Sequence, residues 1–563
     1  MLSKDRASSS ANRVDHQGGN DVSNQKTYMH QSIAQAVRDH GIDTIFGLVG
    51  DANLFLANHF VNECGGNMVA AAHEGGTVLM AQAYTQVTGK VGVATVTQGP
   101  GLTNCFTALR EGVSARRPMI LLCGDTPVTA PFHPQNIDQR EVVKASGAGF
   151  EQVKTPETAA RDVATAFYRA RKERRPIVVN IPTDLMWAEV AHKPVVYPFH
   201  EAPAHVSTGP VHEEAIGMIA SAKRPLILAG AGAVTARDSL IALAERLEAP
   251  LATTLKGTGL FKGHPNNIGY FGTLSTAEAY DVIAAADCII AFGAWLHFLT
   301  TDRGELLKGK RVIQINNSQS DVGAFYQPDA VLIADAAQTA DNILYWLDEA
   351  EIPASGFARE LPAHDISVHP KGDPAQATEG CINFEYALDR LNEALPQNRI
   401  MLTDGGRYIT EVWCRVSVPD PFSFHMTDNF AAIGQGMQQA IGAAHGAPDR
   451  PVVLFTGDGG FMMGGMTEFN TAVRTQRDLI VIVCNDSAYG AEHIQMLDRN
   501  MDPSLTEFTW PSFAAIARTL GGEGATVTTP AELEAALNAI QTRQGPILIE
   551  LKLDPNKVPR MRM

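Results

Sequence analysis

Two aspartates, each placed after an apolar run, are the residues of this chain whose positions most clearly indicate chemistry. Asp458 lies in a glycine-rich turn after residues 452–455, and Asp486 follows residues 479–484 and Asn485. If both runs are buried strands of one parallel sheet, the two carboxylates meet at the strands' carboxyl ends, where such sheets bind ligands. Carboxylate oxygens suit Mg²⁺, which commonly bridges protein and phosphate groups. The glycines beside Asp458 let a diphosphate approach backbone N–H groups at a helix start.

The elements that must position these aspartates belong to the last of three α/β units. Buried apolar runs alternate with helical patterns in each unit, which predicts a parallel sheet in each. The units cover residues 27–186, 211–350 and 381–555. The predicted fold class is α/β, with three doubly wound parallel-sheet domains. The Pro-rich segments 187–210 and 351–380 are interpreted as linkers, and the polar residues 1–26 as a disordered tail.

Composition and charge narrow the classes of protein to which the chain can belong. The 563 residues carry a net charge of −16 without a basic run, which argues against nucleic acid as a partner. The sequence has no apolar stretch of about 18 residues, so we expect no membrane span. The start of the chain lacks the apolar core of a signal peptide, and the seven cysteines have no metal-type spacing. We therefore expect a cytoplasmic protein with reduced thiols.

The two aspartate motifs also resemble a known signature. The 25 residues 460–484 separate Gly-Asp-Gly (457–459) from Asn485-Asp486, a spacing similar to that of thiamine-diphosphate enzymes. Blocks similar to those of the acetolactate synthase and pyruvate decarboxylase superfamily occur in the family's order: AAHEGG, TQGPGLTN, RRPMILLCGD and FTGDGG. The resemblance implies pyrimidine-binding, central and diphosphate-binding domains, with thiamine diphosphate and Mg²⁺ as cofactors. It also implies that Asp458, Asp486 and the carbonyl of Ala488 bind the metal.

The chain departs from the family's pattern at one of these ligands. Asp486 stands where the family has a second Asn, so a further negative charge would lie beside the diphosphate. Bound Mg²⁺ can offset that charge, but the substitution bears on cofactor affinity and on the choice of metal.

The same resemblance assigns residues to the organic cofactor. Glu74, in AAHEGG, would be the carboxylic acid that switches the aminopyrimidine to its imino form, and in the family it reaches the cofactor of another subunit. The resemblance therefore implies at least a homodimer and favours a tetramer. Ile433 stands at the position of the apolar wedge under the bent cofactor, and the carbonyl of Ala431 would accept from the pyrimidine amine. Further contacts are assigned to Gly405, Gly406, Arg407, Gly459, Gly460 and Tyr489, with a surface role as the alternative for Arg407.

Some of the residues expected to contact the substrate resemble those of pyruvate decarboxylases, and others resemble those of the synthases. Asp51 and Glu492 are similar in register to carboxylates of pyruvate decarboxylases, where they would protonate or orient a carbanion. Those enzymes have a His-His pair, whereas this chain has the single His133. Gln135 matches the Gln of the Phe-Gln-Glu block of the synthases, with Asn136 in place of Glu. A turn role for Asp51 and a helix-surface role for Glu492 remain alternatives.

The central unit bears on a further cofactor, FAD. The synthases bind FAD near a Gly-Ala-Arg and an Asp-Ile-Asp block, which here read Gly-Ala-Trp (293–295) and Gln-Ile-Asn (314–316). Because the cation that can pair with the flavin's diphosphate is missing, we expect no FAD. The Gly-Ala-Gly sequence at 230–232 is half of a dinucleotide fingerprint, and a tight turn explains it equally well.

The function expected from the resemblance is thiamine-diphosphate-dependent cleavage and formation of C–C bonds. The enzyme would decarboxylate a 2-oxo acid such as pyruvate and transfer the acyl carbanion to a carbonyl acceptor, as an acetolactate synthase-like carboligase does. The alternatives are a non-oxidative 2-oxo acid decarboxylase, and a lyase or hydrolase of a 1,2-diketone or a 2-hydroxyacyl thioester. A cofactor-binding homologue without activity is a further alternative, against which the joint presence of Glu74, Ile433 and Asp458 argues.

Overall fold

Three six-stranded sheets of parallel strands organise the computed structural model, which describes residues 26–200 and 204–558. Each sheet is flanked by helices and corresponds to one of the three predicted units, so the predicted fold class is confirmed. The predicted tail, residues 1–26, lies outside the described residues apart from Lys26.

The N-terminal unit contains one of these sheets and a short two-stranded ribbon. Its strands are β1 (Lys26–Tyr28), β2 (Thr44–Gly47), β3 (Asn67–Ala70), β4 (Gly92–Val96), β5 (Met119–Asp125), β6 (Gly149–Gln152), β7 (Pro176–Pro182) and β8 (Glu189–Ala191). Its helices are α1 (Met29–Asp39), α2 (Leu54–Asn62), α3 (Glu74–Thr88), α4 (Pro100–Thr103), α5 (Phe106–Ser114), α6 (Gln139–Ser146) and α7 (Ala159–Glu173). The sheet has the order β3-β2-β4-β5-β7-β6.

The ribbon lies in part of the segment that we interpreted as a linker. Strand β8 pairs antiparallel with β1, from Lys26 opposite Ala191 to Tyr28 opposite Glu189. Just before β8, the ring of Trp187 packs against the ring of His30 at a centroid distance of 4.7 Å. Residues 187–191 are therefore part of the N-terminal unit.

The central unit has the strand order β11-β10-β9-β12-β13-β14. Its strands are β9 (Pro225–Ala229), β10 (Leu251–Thr253), β11 (Asn267–Tyr270), β12 (Cys288–Phe292), β13 (Arg311–Asn316) and β14 (Ala330–Ile333). Its helices are α8 (Pro210–Ala220), α9 (Arg237–Leu247), α10 (Ala277–Ala285) and α11 (Ala336–Glu349). Apolar side chains of this unit form one core on each face of its sheet.

The C-terminal unit has the strand order β16-β15-β17-β18-β20-β19. Its strands are β15 (Ile400–Thr403), β16 (Phe424–Met426), β17 (Val452–Gly457), β18 (Leu479–Asn485), β19 (Glu523–Val527) and β20 (Ile547–Lys552). Its helices are α12 (Phe384–Ala394), α13 (Ile409–Arg415), α14 (Gly436–Gly446), α15 (Asp458–Gly460), α16 (Met466–Arg474), α17 (Gly490–Asp498), α18 (Phe513–Thr519) and α19 (Pro530–Thr542). Every residue of β18 is buried, as expected for a central parallel strand covered on both faces.

The N-terminal and C-terminal units share one apolar core across helices α3 and α14. The two helices approach so closely at Gly442 that a Cβ there would lie 2.1 Å from the carbonyl oxygen of Met80. Only glycine fits at that contact. The first and last units of the chain therefore form one packed body, although the central unit separates them in sequence.

Two expectations about the whole chain can be compared with the structure. Within the described residues, no helix is both long and apolar enough to span a membrane. All seven cysteines carry free thiols, and four of them are buried. These cysteines thus contribute to packing and not to cross-links.

Candidate active site

The carboxyl edge of the C-terminal sheet brings three aspartates together. Asp404 follows β15, Asp458 follows β17 and Asp486 follows β18, and these strands are neighbours. From β15 the chain runs outward to β16 and then returns to β17 on the other side, so a crevice opens between β15 and β17. Open α/β sheets bind ligands at such a crevice. The predicted meeting of Asp458 and Asp486 is thus present in the fold.

Asp458 and Asp486 are both buried and act on each other electrostatically. Burial, with a further contribution from the charge of Asp486, raises the pKa of Asp458 to about 7. Burial also raises the pKa of Asp486 to about 6, although the Arg407 guanidinium lowers it. Two buried carboxylates beside one guanidinium form a site that a divalent cation would stabilise, because the cation favours both ionised forms.

The loop after β18 is shaped by its own polar groups. Ser487 adopts a left-handed conformation with φ of 56°, and Oδ1 of Asp486 accepts a hydrogen bond of 3.2 Å from the backbone N–H of Ala488. The N–H of Tyr489 donates to the carbonyl of Thr506 at 2.9 Å. The tight turn places the predicted ligand residues 486 and 488 within one loop. Two carboxylates and one carbonyl are a donor set that suits Mg²⁺ with phosphate oxygens as further ligands.

Within the described residues, no group of three or more His, Cys, Asp or Glu side chains is arranged to hold a metal ion. Asp458, Asp486 and the carbonyl of Ala488 would leave further ligand positions of a metal ion to a phosphate group. A closed protein cage of the structural zinc type does not fit them.

The predicted diphosphate contacts surround the same crevice. Gly405 and Gly406 follow β15, whereas Gly459 and Gly460 lie in α15. A Cβ at Gly460 would lie 2.9 Å from Oδ2 of Asp404, so the close approach of these two loops requires glycine there. Arg407 is buried, and its Nη2 lies 3.4 Å from Oδ2 of Asp486. The surface role considered for Arg407 is therefore wrong.

The loop between β16 and α14, residues 428–435, carries the predicted pyrimidine contacts and is called the wedge loop below. Ala431 adopts a left-handed conformation with φ of 59°. Ile433 is 41 % exposed, whereas the elements on both sides of the loop are largely buried. Oδ2 of Asp404 accepts a hydrogen bond of 3.0 Å from the N–H of Gly434 and fixes the end of the loop. An exposed apolar side chain on a fixed loop can support a ligand.

The other predicted residues lie mainly at the carboxyl edge of the N-terminal sheet. Glu74 begins α3, and its Oε2 accepts a hydrogen bond of 3.0 Å from Nδ2 of Asn104. Asp51 is exposed in the loop after β2, next to the loop after β4 that contains Gln98. This sheet has its own crevice between β2 and β4, because the chain runs from β2 to β3 on one side and then to β4 on the other. The structure thus places Asp51 and Gln98 beside the crevice of a second sheet.

His133 and Gln135 lie close together beside this edge. The backbone N–H of Gln135 donates to Nδ1 of His133 at 3.2 Å. Oε1 of Gln135 accepts a hydrogen bond of 2.6 Å from Nε2 of Gln98, a buried residue. Because its oxygen is occupied by this bond, Gln135 offers its Nε2 group as a donor. Glu492 lies apart from this group, exposed in the first turn of α17 after Tyr489.

Sequence reasoning missed three polar residues of the site. Asp404 was passed over although it lies between a predicted strand and Gly405, a position that parallels that of Asp458. Trp510, whose indole contacts Asp458, is far from Asp458 in sequence and carries no local signal. Glu111, a buried acid of α5, contacts the wedge loop from another domain, and a single Glu in a helix does not predict this.

Comparison with known proteins decides the family. The thiamine pyrophosphate enzyme N-terminal TPP binding domain matches residues 28–142, the central domain matches 212–343, and the C-terminal TPP binding domain matches 404–551. The chain belongs to the thiamine-diphosphate-dependent enzymes. The suspected family is thereby confirmed, as is the expectation of an enzyme.

Several curated thiamine-diphosphate enzymes match nearly the whole chain. The probable 2-ketoarginine decarboxylase of Pseudomonas aeruginosa is 29 % identical over 538 residues, which cover 93 % of each chain. The large subunit of acetolactate synthase isozyme 1 of Escherichia coli is 27 % identical, also over 93 % of each chain. Sulfoacetaldehyde acetyltransferase of Alcaligenes xylosoxydans xylosoxydans is 27 % identical over 90 % of this chain and 89 % of its own. These relatives have different names, so membership of the family leaves the reaction open.

Proposed function

We propose that this thiamine-diphosphate enzyme decarboxylates a 2-oxo acid such as pyruvate and transfers the acyl unit to a carbonyl acceptor. The observation that carries the proposal is the pairing of Asp458 and Asp486 at the crevice of the C-terminal sheet, beside the exposed Ile433. Two of the relatives bear the names of an acetolactate synthase and a probable 2-ketoarginine decarboxylase, which supports a 2-oxo acid donor.

The residues present fit thiamine diphosphate with Mg²⁺. Asp458, Asp486 and the carbonyl of Ala488 would hold the metal, and the loops of Gly405 and Gly459 would hold the diphosphate. Ile433 would support the bent cofactor, with the carbonyl of Ala431 and the carboxyl group of Glu74 at its pyrimidine ring. When bound, the cofactor supplies an electron sink for cleavage of the bond next to a carbonyl group.

Neutral donors at the N-terminal edge favour transfer to a carbonyl acceptor over protonation. The amide of Gln135 lies beside Gln98 and His133, and its Nε2 can donate to the oxygen of a substrate carbonyl or carboxylate. An amide binds such an oxygen without giving up a proton, because it is too weak an acid. We therefore assign Gln135 to substrate binding, with His133 orienting its backbone.

Non-oxidative decarboxylation of a 2-oxo acid is the second candidate, and the exposed position of Glu492 favours it. Glu492 lies in the first turn of α17, which begins one residue after Tyr489 and follows the metal loop directly. A carboxylic acid at that place can deliver a proton and release an aldehyde. The similarity to a probable 2-ketoarginine decarboxylase supports the same candidate.

The active unit in this proposal is a homo-oligomer of at least two subunits. The carboxylate of Glu74 accepts a hydrogen bond from Asn104 of its own unit, whereas Asp486 of the candidate metal site pairs with Arg407. Large apolar side chains around Asp51 are exposed, among them Val49 (48 %) and Leu54 (44 %). A second copy would cover this surface and bring its metal site to Glu74.

The experiment is a product analysis with the full chain, thiamine diphosphate and Mg²⁺. Pyruvate, longer 2-oxo acids and a guanidino 2-oxo acid serve as donors, each with and without an aldehyde or 2-oxo acid acceptor. Ligated product that forms faster than free aldehyde whenever an acceptor is present supports the transferase. Free aldehyde as the main product with every acceptor would establish the decarboxylase instead, and cofactor binding without carbon dioxide release from any donor would refute both.

A further inference from the structure

Glu111, a residue of the N-terminal unit, contacts the wedge loop of the C-terminal unit with both carboxylate oxygens. Its Oε1 accepts hydrogen bonds from the backbone N–H (3.1 Å) and Nδ2 (2.6 Å) of Asn429, and its Oε2 accepts from the backbone N–H of Phe430 at 2.7 Å. Glu111 is 1 % exposed and lies in α5. Three hydrogen bonds to one buried carboxylate form a specific contact between the two units.

The central unit also contacts Asn429 of the wedge loop. Nζ of Lys256, in the central unit, donates to Oδ1 of Asn429 at 2.8 Å. Asn429 therefore links a carboxylate of the N-terminal unit to a cation of the central unit. Burial lowers the pKa of Lys256 to about 8, and the charge of Glu111 opposes this shift.

The wedge loop contains a residue with an unfavourable backbone conformation, so contacts from neighbouring elements are needed to hold it. Ala431 is left-handed, a conformation that is unfavourable for a residue with a Cβ and that persists where neighbouring contacts impose it. Glu111 holds the two residues just before Ala431, and Asp404 holds Gly434 just after Ile433. The buried carboxylates of Glu111 and Asp404 thus accept hydrogen bonds from the loop on both sides of Ala431 and Ile433. These are the residues that we assigned to the pyrimidine ring and to the bend of the cofactor.

We propose that Glu111 is a positioning residue that sets the wedge loop in its cofactor-binding conformation before the cofactor arrives. Docking of the N-terminal unit on the C-terminal unit of the same chain then determines the affinity for thiamine diphosphate. This inference rests on the proposed roles of Ala431 and Ile433. Glu111 itself touches neither substrate nor cofactor in this scheme, and it acts through the loop.

Burial of the Glu111 carboxylate and its hydrogen bonds have opposite effects on its pKa. Burial raises the pKa of Glu111, and the three donors from Asn429 and Phe430 lower it. An amide at this position would keep one acceptor oxygen but turn an NH₂ group toward a backbone N–H donor. The glutamine of Glu111→Gln is therefore nearly the same size as the native side chain but cannot make all of its hydrogen bonds to the wedge loop. The aspartate of Glu111→Asp retains two acceptor oxygens.

The first test uses the apo protein and needs no cofactor. Backbone hydrogen exchange of Asn429 and Phe430 is measured by mass spectrometry in the native chain and in Glu111→Gln, Glu111→Asp and Glu468→Gln. Glu468 is the matched control because it is a buried acid that also joins these two units, through the N–H of Ala72 at 3.0 Å, without touching the wedge loop. Exchange at 429–430 should rise at least about 10-fold in Glu111→Gln and less in Glu111→Asp, and stay native in Glu468→Gln.

The second test measures the affinity for thiamine diphosphate at saturating Mg²⁺ by tryptophan fluorescence. The dissociation constant should rise about 10-fold in Glu111→Gln, as expected for one lost charge-assisted contact, with partial recovery in Glu111→Asp. kcat at saturating cofactor should remain within about threefold, because the bound cofactor reorders the loop. Native exchange at 429–430 in a folded Glu111→Gln protein, or faster exchange with native affinity, overturns the inference. Failure of the native chain to bind thiamine diphosphate would instead overturn the proposed function.

Discussion

Nε1 of Trp510 donates a hydrogen bond of 2.9 Å to Oδ2 of Asp458, the residue that begins α15. Oδ1 of the same carboxylate accepts from the N–H of Gly459 at 2.8 Å, so both oxygens are oriented by the protein. The indole in turn stacks on the ring of Phe508, with 4.8 Å between centroids and 18° between planes. The protein therefore holds the carboxylate of Asp458 in a fixed orientation, as the proposed role in metal binding requires.

Replacing Trp510 with Phe should weaken metal binding without unfolding the site. The aromatic stack is retained, but Asp458 loses one oriented hydrogen bond, so the dissociation constant for Mg²⁺ should rise about 3- to 10-fold. Isothermal titration of Mg²⁺ into protein with excess thiamine diphosphate measures the constant. An unchanged constant would show that the indole does not orient the carboxylate.

Removal of the metal should release the cofactor. The diphosphate would be held to Asp458 and Asp486 only through the cation, so a chelator or Asp458→Ala should reduce cofactor affinity at least about 100-fold. Equilibrium dialysis of thiamine diphosphate, with Mg²⁺ saturating for the variant, provides the measurement. Tight binding by Asp458→Ala would contradict the metal assignment.

Glu74→Gln should bind the cofactor and turn over slowly. The amide cannot serve as an acid at the pyrimidine ring, and loss of such a group costs about 10²- to 10⁴-fold in rate. The rate is measured at saturating thiamine diphosphate, with binding confirmed separately. Turnover close to the native value would exclude Glu74 as the activating residue.

A mixing experiment tests the sharing of the site between subunits. Inactive Glu74→Gln and inactive Asp458→Ala chains, unfolded and refolded together, should recover part of the native activity, because each mixed dimer contains one intact site. Each variant refolded alone is the control. Mixtures as inactive as the controls, with mixed dimers present, would place Glu74 and Asp458 of one chain in the same site.

The purified chain should not contain stoichiometric flavin. The N–H of Gly232 donates to the carbonyl of Gly293 at 3.1 Å, which joins the loops after β9 and β12 where a nucleotide phosphate would lie. Trp295 replaces the cation of the synthases, and its ring is covered by the guanidinium of Arg116 at 4.9 Å. Visible absorbance of the purified protein and reverse-phase analysis of the released cofactor measure the flavin content. One flavin per chain would refute the expectation.

Glu492→Gln should shift products toward ligation. If the exposed Glu492 delivers a proton, the amide removes that route while leaving the acceptor pathway intact. The ratio of aldehyde to ligated product is measured at fixed donor and acceptor, with Asp51→Asn as the parallel variant. A ratio unchanged in both variants would place Glu492 and Asp51 outside the chemistry and leave proton delivery to water or His133.

Local sequence patterns predicted the sheets because buried parallel strands are continuous apolar runs. The run 452–455 became part of β17 and the run 479–484 part of β18, within two residues of the predicted ends. In the N-terminal unit, β3 stops at Ala70 and Glu74 begins α3. The N-cap His73, whose side chain accepts from the N–H of Gly75, starts that helix.

Contacts between residues far apart in the sequence could not be predicted in the same way. The hydrogen bond from Trp510 to Asp458 crosses 52 residues, and the bond from Phe430 to Glu111 crosses 319. Such pairs depend on how the sheets pack, and no local periodicity encodes that. The positions of the aspartates were informative because the carboxyl ends of neighbouring parallel strands lie close together at one sheet edge, regardless of the sequence between the strands.

The core shared by α3 and α14 sets an order of events during synthesis of the chain. Eleven consecutive residues of α3, from Gly75 to Thr85, are buried, and α14 covers much of that surface. Roughly 350 residues separate the end of α3 at Thr88 from the start of α14 at Gly436. At about 5–20 residues per second, a ribosome needs on the order of tens of seconds to add them. Throughout that interval α14 cannot cover the apolar surface of α3, so the nascent N-terminal unit exposes this surface until the last domain emerges.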